Sequence, residues 1–152
     1  MKRTLLLSLS LAAATVFAAQ SALAADMVLS KRTASTLIED NVGHPFWSLQ
    51  AQCAGAFGAT YKYHMTKNHP QQAEEDKGLG VAMLDDAIAR LQVDRGVDRA
   101  AALEIAVPEV EYGRAVAQKM LDERGTAPDS RWNFYRSTCL DIEQAYRNQS
   151  DN

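Results

Sequence analysis

The chain has 152 residues, with 16 basic against 19 acidic side chains and only two cysteines. That length bounds it to one domain with an ordinary apolar core. The acidic balance argues against nucleic acid or anionic lipid as a partner, because basic patches supply most of that affinity.

Residues 1–24 read as a secretory signal peptide. Lys2 and Arg3 give a positive start, residues 5–19 form an apolar run, and Ala22-Leu23-Ala24 places small side chains before a cleavage after Ala24. The apolar run is shorter than the about 20 residues that span a bilayer. No other segment is long and apolar enough to insert once the leader is removed, and no cysteine follows the site to carry a lipid anchor. The expected location is the periplasm or the exterior of a bacterial cell, where the two cysteines can be joined.

Residues 25–44 read as a polar N-terminal arm with room for one short helix at 36–39, broken by Gly43-His44-Pro45. A first long helix is predicted from Pro45 towards Asn68. Phe46, Leu49, Cys53, Phe57 and Tyr61 recur on one face. A second stripe on the same helix is small: Ala51, Gly55 and Ala59, with Gly58 beside it. Interior glycines cost about 1 kcal/mol each relative to alanine, so the spacing predicts a neighbouring backbone in close approach.

A second helix is predicted over 71–93, with Glu74, Glu75 and Asp76 at the positive end of its dipole. Leu84, Ala87, Ile88 and Leu91 make its buried face, and Gly78 and Gly80 weaken its first half. Gly96 ends it and Asp98 is placed to cap a third helix. Pro108 removes a backbone donor within that third helix, which predicts a kink or a split there. Val110, Gly113, Val116, Ala117, Met120 and Leu121 continue one face until Gly125. Asp129 or Ser130 caps the last helix, which carries Trp132, Tyr135, Cys139, Ile142 and Tyr146 along one side towards Asn148. Nothing alternates with the period of a strand. The expected architecture is all-α: four main helices in a compact bundle over 45–148, with a disordered polar tail over 149–152.

Cys53 and Cys139 lie near the middle of aromatic-lined faces on the first and last helices, which predicts one inter-helix disulfide. A redox role is disfavoured, because the Cys-x-x-Cys spacing that lowers a thiol pKa is absent.

Of the three histidines, His64 and His69 stand five apart where the helix ends, and Met65 adds a soft donor, so His64, Met65 and His69 form a candidate metal or small-ligand set. No cofactor is expected. The haem attachment signature is missing, and the last helix has no histidine to supply a facing ligand. Neither a Gly-x-Ser-x-Gly elbow nor a His-Glu-x-x-His motif occurs. Glu109 and Glu111 are the local carboxylates able to share work, and Arg90, Arg95 and Arg99 interleave with Asp94 and Asp98 as surface ion pairs. Trp47, Tyr63 and Phe134 fall off the core stripes and are the expected partner-binding residues. The functional expectation is a non-enzymatic binding or accessory protein whose partner is another envelope protein. A metal or small-ligand binder and a small envelope enzyme with a dispersed site are the alternatives. Convergent carboxylates and arginines in a pocket would favour the enzyme, and a flat aromatic patch the binding module.

Overall fold

Chain breakers set the helix limits in a computed structural model that describes residues 25–151. The helices are α1 (Phe46–Thr66), α2 (Pro70–Arg95), α3 (Arg99–Arg124) and α4 (Arg131–Ser150). Pro45 precedes α1, and Pro70 opens α2, where its missing N–H costs nothing. Gly96 and Gly125 end α2 and α3 at positive φ, 63° and 57°. The Asp98 carboxylate accepts from the Ala101 N–H at 2.9 Å, and the Ser130 hydroxyl accepts from the Asn133 N–H at 3.2 Å, so each caps its helix. Between Asp129 and Ser130 it is therefore the serine that caps α4. Among the described residues there is no strand, only one isolated bridge between Val28 and Pro45.

Two local expectations are corrected. The short helix at 36–39 is a 3-10 turn at Glu39–Asn41, which follows the buried Ile38. α3 is not split at Pro108; it runs unbroken from Arg99 to Arg124. The proline removes one donor, but Ala102, Ala106, Gly113, Ala117 and Leu121 on both sides of it are buried on one continuous face. Packing of that face outweighs a proline penalty of about 3 kcal/mol.

α1 is the centre of the molecule. It packs on α2 and on α3 along most of its length, whereas α2 and α3 touch each other little. The small stripe explains the approach to α3. A Cβ at Gly55 would overlap the carbonyl of Val110, and one at Gly113 would overlap the carbonyl of Gln52. The two backbones are therefore in contact, and the glycine cost in α1 is offset by that contact. Gly80 of α2 similarly faces the Ala54 carbonyl oxygen, 3.2 Å from where its Cβ would sit. Gly58 is different, because a Cβ there would meet nothing within 4 Å.

The buried apolar residues form two clusters on opposite sides of α1. The larger holds Phe46, Leu49, Cys53, Phe57, Trp132, Cys139 and Ile142, with Leu29 and Ile38 from the arm. Phe57 and Trp132 meet edge to face at 6.0 Å between centroids, a favoured aromatic geometry. The Cys53–Cys139 disulfide crosses this cluster and ties α4 to α1 over a separation of 86 residues. The smaller cluster joins Trp47 and Ala51 to Ala87, Ile88 and Leu91 of α2 and to Ala102 and Ala106 of α3.

The arm is a strap across α1, α2 and α4. Asp26 receives two hydrogen bonds from Arg95 and one from the Trp47 indole. The Met27 N–H donates to the buried Asp94 carboxylate at 2.9 Å. At the other end, Gln149 accepts from the Ser30 N–H and donates to the Val28 carbonyl. Gln149 was expected in a disordered tail; instead α4 extends to Ser150 because the strap supplies partners for its last turn. No helix among the described residues is long and apolar enough to cross a membrane. The expected signal peptide lies outside the described residues.

Candidate functional site

The three expected partner-binding residues do not share a surface. Trp47 is only 8% exposed, filling the smaller cluster with Arg95 stacked over its ring and Asp26 on its indole N–H. It is off the Cys53 stripe, but it stands one turn before Ala51 on the small-residue stripe, and the central helix buries that side as well. Tyr63 is half-buried, its phenol lying against Gly125 and Lys67 above its ring. Phe134 alone stands out, 65% exposed on α4.

The candidate metal set is also separated. His64 and His69 do converge, with ring centroids 5.7 Å apart. Met65 is on an exposed side of α1, and no group of three His, Cys, Asp or Glu suited to a metal occurs among the described residues. What His64 meets instead is Asp76 of α2, with Nε2 and Oδ2 3.6 Å apart. His64 sits in the last turn of α1 and Asp76 in the second turn of α2, and the hairpin brings the two together.

His64 and Asp76 are 7% and 4% exposed. They line a polar cavity of about 180 Å³ with Gln72 and Glu75 of α2, Thr126 of the loop before α4, and Trp132, Asn133 and Arg136 of α4. Arg136 donates to Glu75 at 3.1 Å, and its Nε lies 3.9 Å from Asp76. Both approaches to Asp76 are longer than a hydrogen bond. Burial pushes the Asp76 carboxyl up to about 6, with Arg136 pulling the other way and Glu75 adding to the rise. Burial holds His64 below its ordinary value, helped by His69 and Arg136 and opposed by Glu75. At neutral pH the pocket therefore presents a neutral imidazole beside a poorly compensated carboxylate. The buried His64 Nδ1 has no hydrogen-bond partner among the described residues. The sequence reading assigned Asp76 only to the helix dipole and gave Arg136 no role. No local pattern links positions 64, 76 and 136, which three helices bring together.

A second cavity is apolar. Because α2 and α3 splay apart, a groove of about 190 Å³ opens between them over α1. Ala54, Gly58 and Tyr61 form its floor, Lys77, Gly80, Val81 and Leu84 one wall, and Val110 and Arg114 the other. Leu103 and Val107 continue the row of Val110 and Arg114 at helical spacing, and both are exposed, as is Val81. Gly58, which stands beside the small stripe in the sequence, faces this groove.

The charged residues singled out in the sequence, Glu109, Glu111, Arg90, Arg95 and Arg99, each have a side-chain partner. Glu111 pairs with Arg114, whereas Glu109 accepts from Gln52, so these two carboxylates share no site. The arginines expected on a wet surface divide. Arg90 clamps the buried Asp94 at 2.6 Å, whereas Arg95 holds Asp26 and Arg99 holds Asp85 in exposed pairs. Between α2 and α4, burial and the neighbouring Glu143 raise the Asp86 carboxyl. Glu143 is itself bonded to Gln50 and Arg147.

Compared with protein-family models, curated proteins and solved structures, the chain matches none.

Proposed function

We propose that the chain is a non-enzymatic binding or accessory protein of the bacterial envelope, and that an apolar helix of another envelope protein lies in the groove between α2 and α3. The observation that carries this reading is Gly58. A glycine inside a helix costs about 1 kcal/mol, and no packing neighbour within 4 Å requires it. Its bare position leaves the groove floor open. The row from Leu103 to Arg114 is about three helical turns long, a length suited to an amphipathic helix. Lys77 and Arg114 stand on opposite walls, which favours a partner with acidic residues flanking its apolar face. Their present partners, Glu74 and Glu111, are exposed i,i+3 neighbours whose pairing is worth at most about 1 kcal/mol, so they exchange readily.

Photo-crosslinking from Val81 and Val107 in intact cells tests the reading. A specific adduct to a helical, acidic segment of one envelope protein, lost when Gly58→Leu fills the groove, supports it. Adducts formed only from a crosslinker at Phe134 would move the binding surface to α4 and overturn the groove. An absence of adducts from all three positions overturns the accessory-protein reading. Localisation rests on the proposed leader and on the disulfide. Finding the protein in the cytoplasm with residues 1–24 attached would remove both supports.

Small-ligand binding is the second reading, favoured by one observation: a buried carboxylate, Asp76, lines a polar cavity without a close partner. Its ligand set differs from the histidine–methionine set read from the sequence. The same convergence of carboxylates with an arginine is the feature expected of the enzyme alternative.

A further inference from the structure

We propose that the pocket between the ends of α1, α2 and α4 binds a small organic ammonium ion on the Asp76 carboxylate. The inference deepens the small-ligand reading and is independent of the groove.

Charge decides the sign of the ligand. The pocket contains two carboxylates, Glu75 and Asp76, and one cation, Arg136. Arg136 is committed to Glu75 at 3.1 Å and reaches Asp76 only at 3.9 Å. His64 adds no charge at neutral pH, since burial disfavours its protonated form. Ionised Asp76 is thus left in a site that is 4% exposed, with no hydrogen bond to offset its desolvation. A buried charge of this kind costs several kcal/mol unless it is paired. Among the described residues no lysine pairs with Asp76: Lys77, one residue further on, is turned to Glu74.

An ammonium group supplies what is missing. It brings one positive charge and several donors to a carboxylate, and the amide oxygens of Gln72 and Asn133 are further acceptors in the same cavity. Trp132 also lines the cavity, and an alkylammonium gains from proximity to an indole. An anion is opposed by the two carboxylates. A transition metal lacks its ligands, because no three suitable groups gather among the described residues. The cavity, about 180 Å³, limits the ligand to a few carbon atoms.

The groups facing Asp76 are His64 on α1, Glu75 on α2 and Arg136 on α4, with His69 near His64. Of these, Asp76, whose carboxyl burial pushes up to about 6, changes charge between pH 5 and 7.5. Lowering the pH neutralises that carboxylate and so weakens cation binding.

The test is calorimetric titration of the disulfide-bonded protein with ethylammonium chloride, with tetramethylammonium chloride and with sodium acetate as the anionic control. Saturable binding of an ammonium salt at pH 7.5 is expected, weaker by about tenfold or more at pH 5 and in Asp76→Asn. Acetate should not bind. In a heteronuclear NMR titration the indole N–H signal of Trp132 should shift while that of Trp47 stays fixed. Gly58→Leu should leave the affinity unchanged, which separates this site from the groove. Asp76→Asn is nearly isosteric and is expected to fold, and Glu75→Gln offers a second, milder loss of charge. The proposal is overturned if neither ammonium salt binds, if binding survives unchanged in Asp76→Asn, or if acetate binds instead.

Discussion

Replacing Asp76 by asparagine should stabilise the protein at neutral pH and have little effect in acid. The Asp76 carboxyl is pushed from 3.8 to about 6 by burial. Each pKa unit corresponds to about 1.4 kcal/mol of preference between protonation states. Ionised Asp76 therefore costs the folded state about 3 kcal/mol once both folded and unfolded chains have lost the proton. Because the folded value is the higher one, the protonated group favours folding below pH 3.8, and that contribution is lost as pH rises through about 6. His64 runs the other way. Its folded value is depressed, so stability falls as pH drops below its ordinary 6.5. The histidine is present in both proteins, so the difference between them isolates the carboxyl. Urea unfolding at pH 4.0 and pH 7.5 measures it. The stability of Asp76→Asn relative to wild type should rise by about 2–3 kcal/mol between those two conditions. A difference that is flat with pH, or one that falls, refutes the argument that desolvation dominates at this site. A gain of stability on removing a charged group is what a site that trades stability for function would show.

Three further outcomes follow from the packing. Gly55→Ala and Gly113→Ala each push a methyl into the facing backbone carbonyl and should destabilise by about 1–3 kcal/mol, whereas Gly58→Ala, with open space around it, should stabilise by up to about 1 kcal/mol; thermal melts of the three variants decide it. Converting Cys53 and Cys139 together to alanine should lower stability by up to about 4–5 kcal/mol, and alkylation of the native wild type should label no thiol until reductant is added. Trp47→Ala should cost about 3–5 kcal/mol because the ring is buried in the smaller cluster, while Phe134→Ser should stay within about 0.5 kcal/mol of wild type; a neutral Trp47→Ala would contradict the packing.

The helices and their caps were legible in the chain because each depends on short-range chemistry, and the disulfide because the chain has only two cysteines. Proline 70, Gly96 and Gly125 act within one turn, Asp98 caps its own helix, and cysteines on two amphipathic faces leave one way to pair. Pro108 was the local signal that misled, since its effect on α3 depended on the alanine and glycine face lying against α1.

Periodicity determined that this chain forms four helices and which face of each holds the main core. Only the tertiary structure decided that α1 is central, that Trp47 is therefore inside, and that the arm closes over α2 and α4. The polar pocket belongs to the second kind. His64, Asp76 and Arg136 look like ordinary helix-end polar residues in the chain, and their electrostatics arise from desolvation, which exists only once three helices have excluded water around them.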